Sequence, residues 1–145
     1  MIAGVLAAQA FASAAMCGVI WFVQVVHYPL FAAVAGDAAL RYSREHRRRT
    51  PWVVVPLMFV EFATAAWLAA APPPEIGRGP ALAGLGLVCL LGLSTWLVQM
   101  PLHSRLGRHG HDHATIGRLV GSNWCRTILW TARAVLAVWM LAVAR

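Results

Sequence analysis

The side chains best suited to chemistry in this sequence are a few histidines and one glutamate set among long apolar runs. Residues 21–30 (WFVQVVHYPL) contain His27, and residues 96–105 (WLVQMPLHSR) contain His103. Imidazole and carboxylate groups that project from facing helices are the ligands with which helix bundles bind iron, copper or zinc. We therefore predict one shared site, for a metal or for acid–base chemistry, formed by His27, His46, Glu61 and His103.

Two other interpretations of the histidines stay open. The E-x-x-H signature of di-iron bundles is absent, because Glu45 directly precedes His46 in the sequence. His and Gln side chains could instead satisfy one another and the backbone near a membrane interface. His27 and His103, on separate helices, would also suit the two axial positions of haem b.

The two quoted stretches repeat Trp-x-Val-Gln at an offset of 75 residues, which aligns Gln24 with Gln99. Gln24 precedes His27 by three positions and Gln99 precedes His103 by four, so each pair shares a helical face. We therefore predict that both glutamines contribute to cofactor binding. The echo indicates a parallel repeat of two helix hairpins, although Trp, Pro and basic residues also collect at membrane interfaces without duplication.

The elements that must position these side chains are membrane helices. The chain is 60% hydrophobic and 12% charged, about half the charged share of soluble domains. A run of about 20 apolar residues spans roughly 30 Å as a helix, which is the thickness of a bilayer core. The sequence predicts an all-α, four-transmembrane-helix bundle in a single domain, 1–145, with spans at 2–26 (or extended to 34), 52–71, 81–100 and 124–144. Whether the first helix ends before or after Pro29 stays open.

The charge pattern predicts how the bundle lies in the membrane. Arginines concentrate between the first two spans and between the last two, and the net charge is +7. The positive-inside rule then places both basic connections in the cytoplasm and both termini outside. Attraction to anionic lipid accounts for the basicity without nucleic acid. Residues 37–50 have helical spacing of charges and predict a short interfacial helix between helices 1 and 2.

Two charges lie deep in the predicted spans. Glu61 and Arg133 each lie ten residues beyond the arginine-rich end of their predicted span, which is a depth of roughly 15 Å. A charge at this depth costs about 2.5–3.5 kcal/mol on insertion scales, so an ion pair between them is the simplest prediction.

The last helix carries a polar stripe on one face: Asn123, Arg126, Thr127, Trp130 and Arg133. From it, Asn123, Arg126 and Arg133 are predicted to orient an anionic or carbonyl group. The connection that precedes this helix holds His109, His111 and His113, and we interpret it as a solvated basic loop.

The whole chain resembles small bacterial four-helix membrane proteins, many of unknown activity. The pattern is Gln…His-Tyr-Pro-Leu at the end of helix 1, Pro56-x-Met58-x-x-Glu61 in helix 2 and Asn123-Trp-x-Arg126-Thr at the start of helix 4. It is loosely similar to the anthrone-oxygenase-like membrane family in span number, length and this Asn-x-x-Arg start. The resemblance implies a bacterial inner-membrane location and redox chemistry on a lipophilic substrate.

Three functions follow as hypotheses. The first is a metal-dependent oxidoreductase or oxygenase that acts on a lipophilic molecule in a polar pocket at the cytoplasmic half of the bundle. The second is a small dimeric transporter coupled to protons through Glu61. The third is a non-catalytic, haem-binding or cofactor-free subunit of a larger membrane complex. The sequence names no substrate, and the oligomeric state stays open between a homodimer and such a complex.

Overall fold

A computed structural model describes residues 1–144, and their regular structure is helical throughout. Four helical segments are long and apolar enough to cross a membrane: Ile2–Ala33, Gly36–Ala70, Arg78–His109 and His113–Val143. The predicted all-α bundle of four membrane helices is confirmed.

Two of these segments change helical type along their length. The first consists of α1 (Ile2–Phe22), a π-helical turn (Val23–His27) and a 3₁₀ turn (Pro29–Ala33). The second and fourth are single helices, α2 (Gly36–Ala70) and α5 (His113–Val143). The third consists of α3 (Arg78–Ser94), a π-helical turn (Thr95–Gln99) and α4 (Met100–His109). The first helical segment therefore continues past Pro29.

A proline follows each of the two π-helical turns. Pro29 and Pro101 lie two residues after the last residue of a π turn. A proline inside an α-helix has no N–H to donate, and its ring collides with the carbonyl four residues earlier. A π turn is one way for a helical segment to continue past a proline, whereas α2 continues past Pro51 and Pro56 as an α-helix. Gln24 and Gln99 lie in these turns, and each side chain is buried.

The helices pack in a ring in which α1 contacts α2 and α5, and α3 contacts the same two helices. The bundle is filled by three apolar layers. One end holds Leu6, Leu68, Ile76 and Met140; the middle holds Met16, Ile20, Leu91 and Trp130. The other end, where the arginine-rich connections lie, holds Tyr28, Phe31, Leu106, Ile116 and Leu119. We call this last region the basic end.

The helices extend further at the basic end than the sequence predicts. The charged residues 37–50 do not form a separate interfacial helix, because they are the first turns of α2, which has 35 residues. At 1.5 Å per residue, α2 is about 52 Å long and exceeds a bilayer core of about 30 Å. Helix α5 likewise begins at His113 rather than 124. The basic end is therefore a helical bundle that continues beyond the apolar runs.

The outer surface of the bundle is apolar, as a lipid-facing surface must be. Trp52, Phe11 and Phe59 are 81%, 72% and 72% exposed. Aromatic side chains of this size bury 150–250 Å² each in soluble proteins, so such exposure on a globular domain would be costly. The polar side chains that the apolar runs contain point inward instead.

Candidate functional site

Three histidines from three helical segments come together at the basic end. His27 Nε2 and His46 Nδ1 are 2.9 Å apart, so one ring donates a hydrogen bond to the other. The His46 ring also packs against His103, with ring centroids 4.9 Å apart. On the outer side, the Tyr42 hydroxyl lies 3.4 Å from His27 Nδ1. The predicted convergence of His27, His46 and His103 is present in the structure.

The third histidine has a tyrosine partner that the sequence argument missed. The Tyr28 hydroxyl and His103 Nε2 are 2.8 Å apart, and Tyr28 is buried. Phe31 lies at the centre of the cluster and contacts all three histidine rings. These contacts are edge-to-face, an arrangement that aromatic pairs prefer and that favours particular orientations of the imidazoles.

The fourth predicted ligand, Glu61, lies elsewhere. It follows His46 by 15 positions on α2, a distance of about 22 Å along the helix. Among residues 1–144, no group of three or more His, Cys, Asp or Glu side chains is placed to hold a metal ion. The structure thus brings the three histidines together without a carboxylate.

In this arrangement the histidine nitrogens that face one another, or face Tyr28, are bonded within the protein. The facing nitrogens of His27 and His46 are hydrogen-bonded to each other, and His103 Nε2 is occupied by Tyr28. Two axial histidines need an open slot between them for a porphyrin, whereas the His46 ring packs against both His27 and His103. The cluster is therefore a set of imidazole and phenol groups joined by hydrogen bonds.

A cavity of about 710 Å³ opens beside this cluster. It lies between the first helical segment, α2 and the α3–α4 segment, and one part of its wall is apolar: Met16, Ile20, Val54 and Met58. The other part contains Tyr28, His46, His103, Gln99 and Arg126. Its volume lies within the range of small-molecule sites, which are also mostly apolar with a few polar groups.

A hydrogen-bonded chain holds Arg126 at this polar wall. Asn123 Nδ2 donates to Gln24 Oε1 at 2.8 Å, and Arg126 Nη1 donates to Asn123 Oδ1 at 2.9 Å. Gln24 in turn donates to the carbonyl of Val120 at 3.2 Å. The predicted inward stripe of α5 is confirmed, since its five residues are all buried. Arg126, only 7% exposed, does not extend to the membrane surface.

The echoed stretches both contact α5. Gln24 contacts Asn123 and Val120, and Gln99 donates to the Ser122 hydroxyl at 3.0 Å. The predicted cofactor-binding glutamines therefore serve first as links between helices. Only Gln99 also lines the cavity.

Two buried polar atoms at the cavity wall lack a protein partner. They are Arg126 Nε and Gln99 Oε1, a donor and an acceptor. A buried polar group without a hydrogen bond costs about 1–3 kcal/mol, so a ligand or water that supplies the bonds is favoured there. The wall thus offers a cationic donor, an amide acceptor and the Tyr28–His103 pair to whatever occupies the cavity.

A second polar cluster lies deeper in the bundle. Arg133 Nε donates to Glu61 Oε2 at 2.8 Å with both side chains fully buried, which confirms the predicted ion pair. The Ser13 hydroxyl donates to the other carboxylate oxygen. Gly84 permits the arginine to lie here, because a Cβ at this position would stand 2.8 Å from Arg133 Nη1. Each carboxylate oxygen of Glu61 therefore has one partner within the bundle, whereas Arg133 Nη1 and Nη2 are buried without a protein partner.

One histidine of the connection before α5 is anchored, whereas His109 and His113 are exposed, as the sequence interpretation expects. His111 Nδ1 donates to the carbonyl of Phe31 at 2.7 Å, and Nε2 accepts from the Ser43 hydroxyl at 2.7 Å. The imidazole also stacks on Phe31, with ring planes 4° apart. His111 therefore joins the α4–α5 connection to the end of the first helical segment and the start of α2.

Comparison with known proteins adds no relative to this description. No protein-family model, no curated protein and no solved structure matches the chain.

Proposed function

We propose that this membrane protein binds a lipophilic small molecule in the 710 Å³ cavity and exchanges a proton with the molecule's polar end. The observation that carries the proposal is the division of one cavity wall into an apolar part and a part with Arg126, Gln99 and the Tyr28–His103 pair. An apolar body would lie against Met16 and Met58, and its polar group would meet the unpartnered Arg126 Nε.

The acid–base pair supplies the chemistry. Tyr28 and His103 share one hydrogen bond, and a neutral imidazole accepts a proton at one ring nitrogen while it donates at the other. An O–H or acidic C–H group of the ligand could therefore lose its proton to this pair, with the resulting anion stabilised by Arg126. Positioned acid–base groups contribute typically 10²–10⁴-fold to a rate.

Removal of such a proton is one step in the oxidation of hydroxylated aromatic molecules by molecular oxygen. An oxidoreductase or oxygenase of a lipophilic substrate is the reaction class that this site and the family resemblance support together. We further propose that the basic end faces the cytoplasm of a bacterial cell, because the arginines of both basic-end connections follow the positive-inside rule.

The test uses a lipophilic acid whose ionisation is visible. 2-Octyl-4-nitrophenol absorbs near 400 nm only as the phenolate, so titration into phosphatidylcholine nanodiscs with and without the protein reports ionisation. The protein should raise the phenolate fraction saturably, and His103→Leu should lose most of that increase. His113→Leu, which alters an exposed histidine away from the cavity, is the matched control. Equal ionisation in empty and protein-loaded nanodiscs would overturn the proposal.

A further inference from the structure

The charges around the cavity identify the kind of ligand more closely than its shape does. Three arginines and two histidines line it: Arg47, Arg108, Arg126, His46 and His103. None of the described residues that line the cavity is acidic. A cavity with one sign of charge and low-dielectric walls concentrates ions of the opposite sign.

The arginines occupy two positions along the cavity. Arg126 is buried at the inner wall, whereas Arg47 and Arg108 are exposed at the rim. Arg47 extends from α2 across to α4, where its Nη1 lies 3.2 Å from the point that a Cβ on Gly107 would occupy. The rim therefore joins two helices with cationic side chains that have no carboxylate in contact, since the described ion pairs of this region use Arg48 and Arg49.

The apolar part of the cavity continues from this rim into the bundle between α1 and α2. Its lining there is aliphatic or thioether: Met16, Val19, Ile20, Val54 and Met58. The side of the cavity is bounded by exposed Val55, Trp96 and Met100, which belong to the lipid-facing surface. A molecule with an apolar chain could thus enter from the bilayer and keep a charged group at the basic end.

We propose that the ligand is an anionic amphiphile, with its carboxylate or phosphate held among Arg47, Arg108 and Arg126 and its apolar chain along α1 and α2. This inference rests on the proposed function and names its ligand class. Arginine suits both headgroups because its planar fork pairs bidentately with carboxylate and phosphate. The lone Arg126 Nε donor is the buried contact that would fix the headgroup.

The experiment compares three ligands with the same chain. Tritiated dodecanoate, dodecyl phosphate and dodecanol are bound to the full-length protein in phosphatidylcholine nanodiscs, and binding to empty nanodiscs is subtracted. We expect each anion, or one of them, to bind at least tenfold more tightly than the alcohol. A preference for only one anion identifies the headgroup. Displacement by added phosphatidylglycerol would show that a membrane lipid supplies it.

Arginine variants test where the preference arises. Arg47→Gln and Arg108→Gln change exposed side chains, so they should fold normally and each lower the preference for anions several-fold. Arg126→Gln should abolish most of it. Arg118→Gln, an exposed arginine on α5 outside the cavity, should leave the preference unchanged.

The outcomes separate this inference from the function on which it rests. If dodecanol binds as tightly as dodecanoate and dodecyl phosphate, the inference of an anionic headgroup is wrong, whereas the proposal that the cavity binds a lipophilic molecule still stands. Binding of all three molecules at the level of empty nanodiscs would overturn both. An anion preference that persists in all three arginine variants would contradict the assigned headgroup position.

Discussion

Arg133 donates its Nε–H to Glu61 across 2.8 Å at the interior of the bundle, and neither side chain has any exposed surface. The pair joins α5 to α2, and Ser13 adds α1 to the same carboxylate. Removal of one member of a buried pair leaves the other charge uncompensated, which is more costly than removal of both.

This pair gives the first prediction. Glu61→Gln should lower the free energy of unfolding by about 3–5 kcal/mol, measured by unfolding in mixed micelles with increasing SDS. The double variant Glu61→Leu/Arg133→Met should be more stable than Glu61→Gln. Glu45→Gln, in an exposed pair, is the control, and it should lower the free energy of unfolding by only about 0–1 kcal/mol. A loss for Glu61→Gln within that control range would contradict the structural role of the pair.

Gly84 gives a second prediction, because its missing side chain makes room for Arg133. Gly84→Ala would place a Cβ 2.8 Å from Arg133 Nη1 and should cost about 1–3 kcal/mol, as overpacked cores do. Gly86→Ala, one helical half-turn away with nothing within 4 Å, should be neutral or stabilising because alanine favours helix. Thermal unfolding of the two variants in one detergent compares them directly, and equal melting temperatures would refute the close approach.

The His111 anchor predicts a local change in dynamics. His111→Ala should remove the bonds to Phe31 and Ser43 and speed hydrogen–deuterium exchange at residues 31–43. The bundle interior near Glu61 should exchange as slowly as before. His109→Ala alters an exposed neighbour on the same connection and should not change exchange at residues 31–43. Unchanged protection in His111→Ala would show that the loop is held by other contacts.

We expect the stability of the folded protein to depend on pH through the carboxyl group of Asp112. It caps α5 by accepting from the Thr115 N–H at 2.7 Å, and hydrogen bonding by the side chain and backbone of Thr115 holds the pKa of this carboxyl below its usual range. A carboxyl group whose pKa is lower in the folded state than its unfolded value of about 3.9 stabilises the folded protein at a pH above that value. This stabilisation is lost as the pH falls through the pKa of the folded state.

The measurement is the difference in melting temperature between the wild type and Asp112→Asn. The wild type should be more stable at neutral pH, and the difference should shrink as the pH falls below about 4. Asp37→Asn, whose side chain makes no cap bond to its helix, is the control for the removal of one exposed carboxylate charge. A difference that is constant with pH would mean that the carboxylate charge contributes nothing to the cap.

The features that follow from periodicity and depth could be predicted from the sequence. The Glu61–Arg133 pair follows from equal depth in two spans, and the buried stripe of α5 follows from its helical spacing. Glu61 could not have joined the histidines, because 15 positions on one helix separate it from His46 by about 22 Å. The rise of a helix therefore separates Glu61 from the histidine ligand set.

Other features have no signal in a single sequence. Tyr28 and Phe31 look like interfacial aromatic residues, and only the path of the chain through the π turn and Pro29 brings them against His103. Ser13 is one small polar residue in an apolar run, which many membrane helices contain. The extension of α2 was missed because charged residues at a membrane surface suggest a break in the helix, whereas nothing in residues 37–50 terminates one.

The central claim is that a lipophilic molecule occupies the cavity beside the histidine cluster. Val54 lines that cavity, whereas its neighbour Val53 points outward and is 55% exposed. The direct test is saturable binding of 2-octyl-4-nitrophenol in phosphatidylcholine nanodiscs to Val54→Trp and Val53→Trp. The account predicts that Val54→Trp fills the cavity and weakens binding at least tenfold, while Val53→Trp binds as the wild type does. Equal binding by the two variants would contradict it.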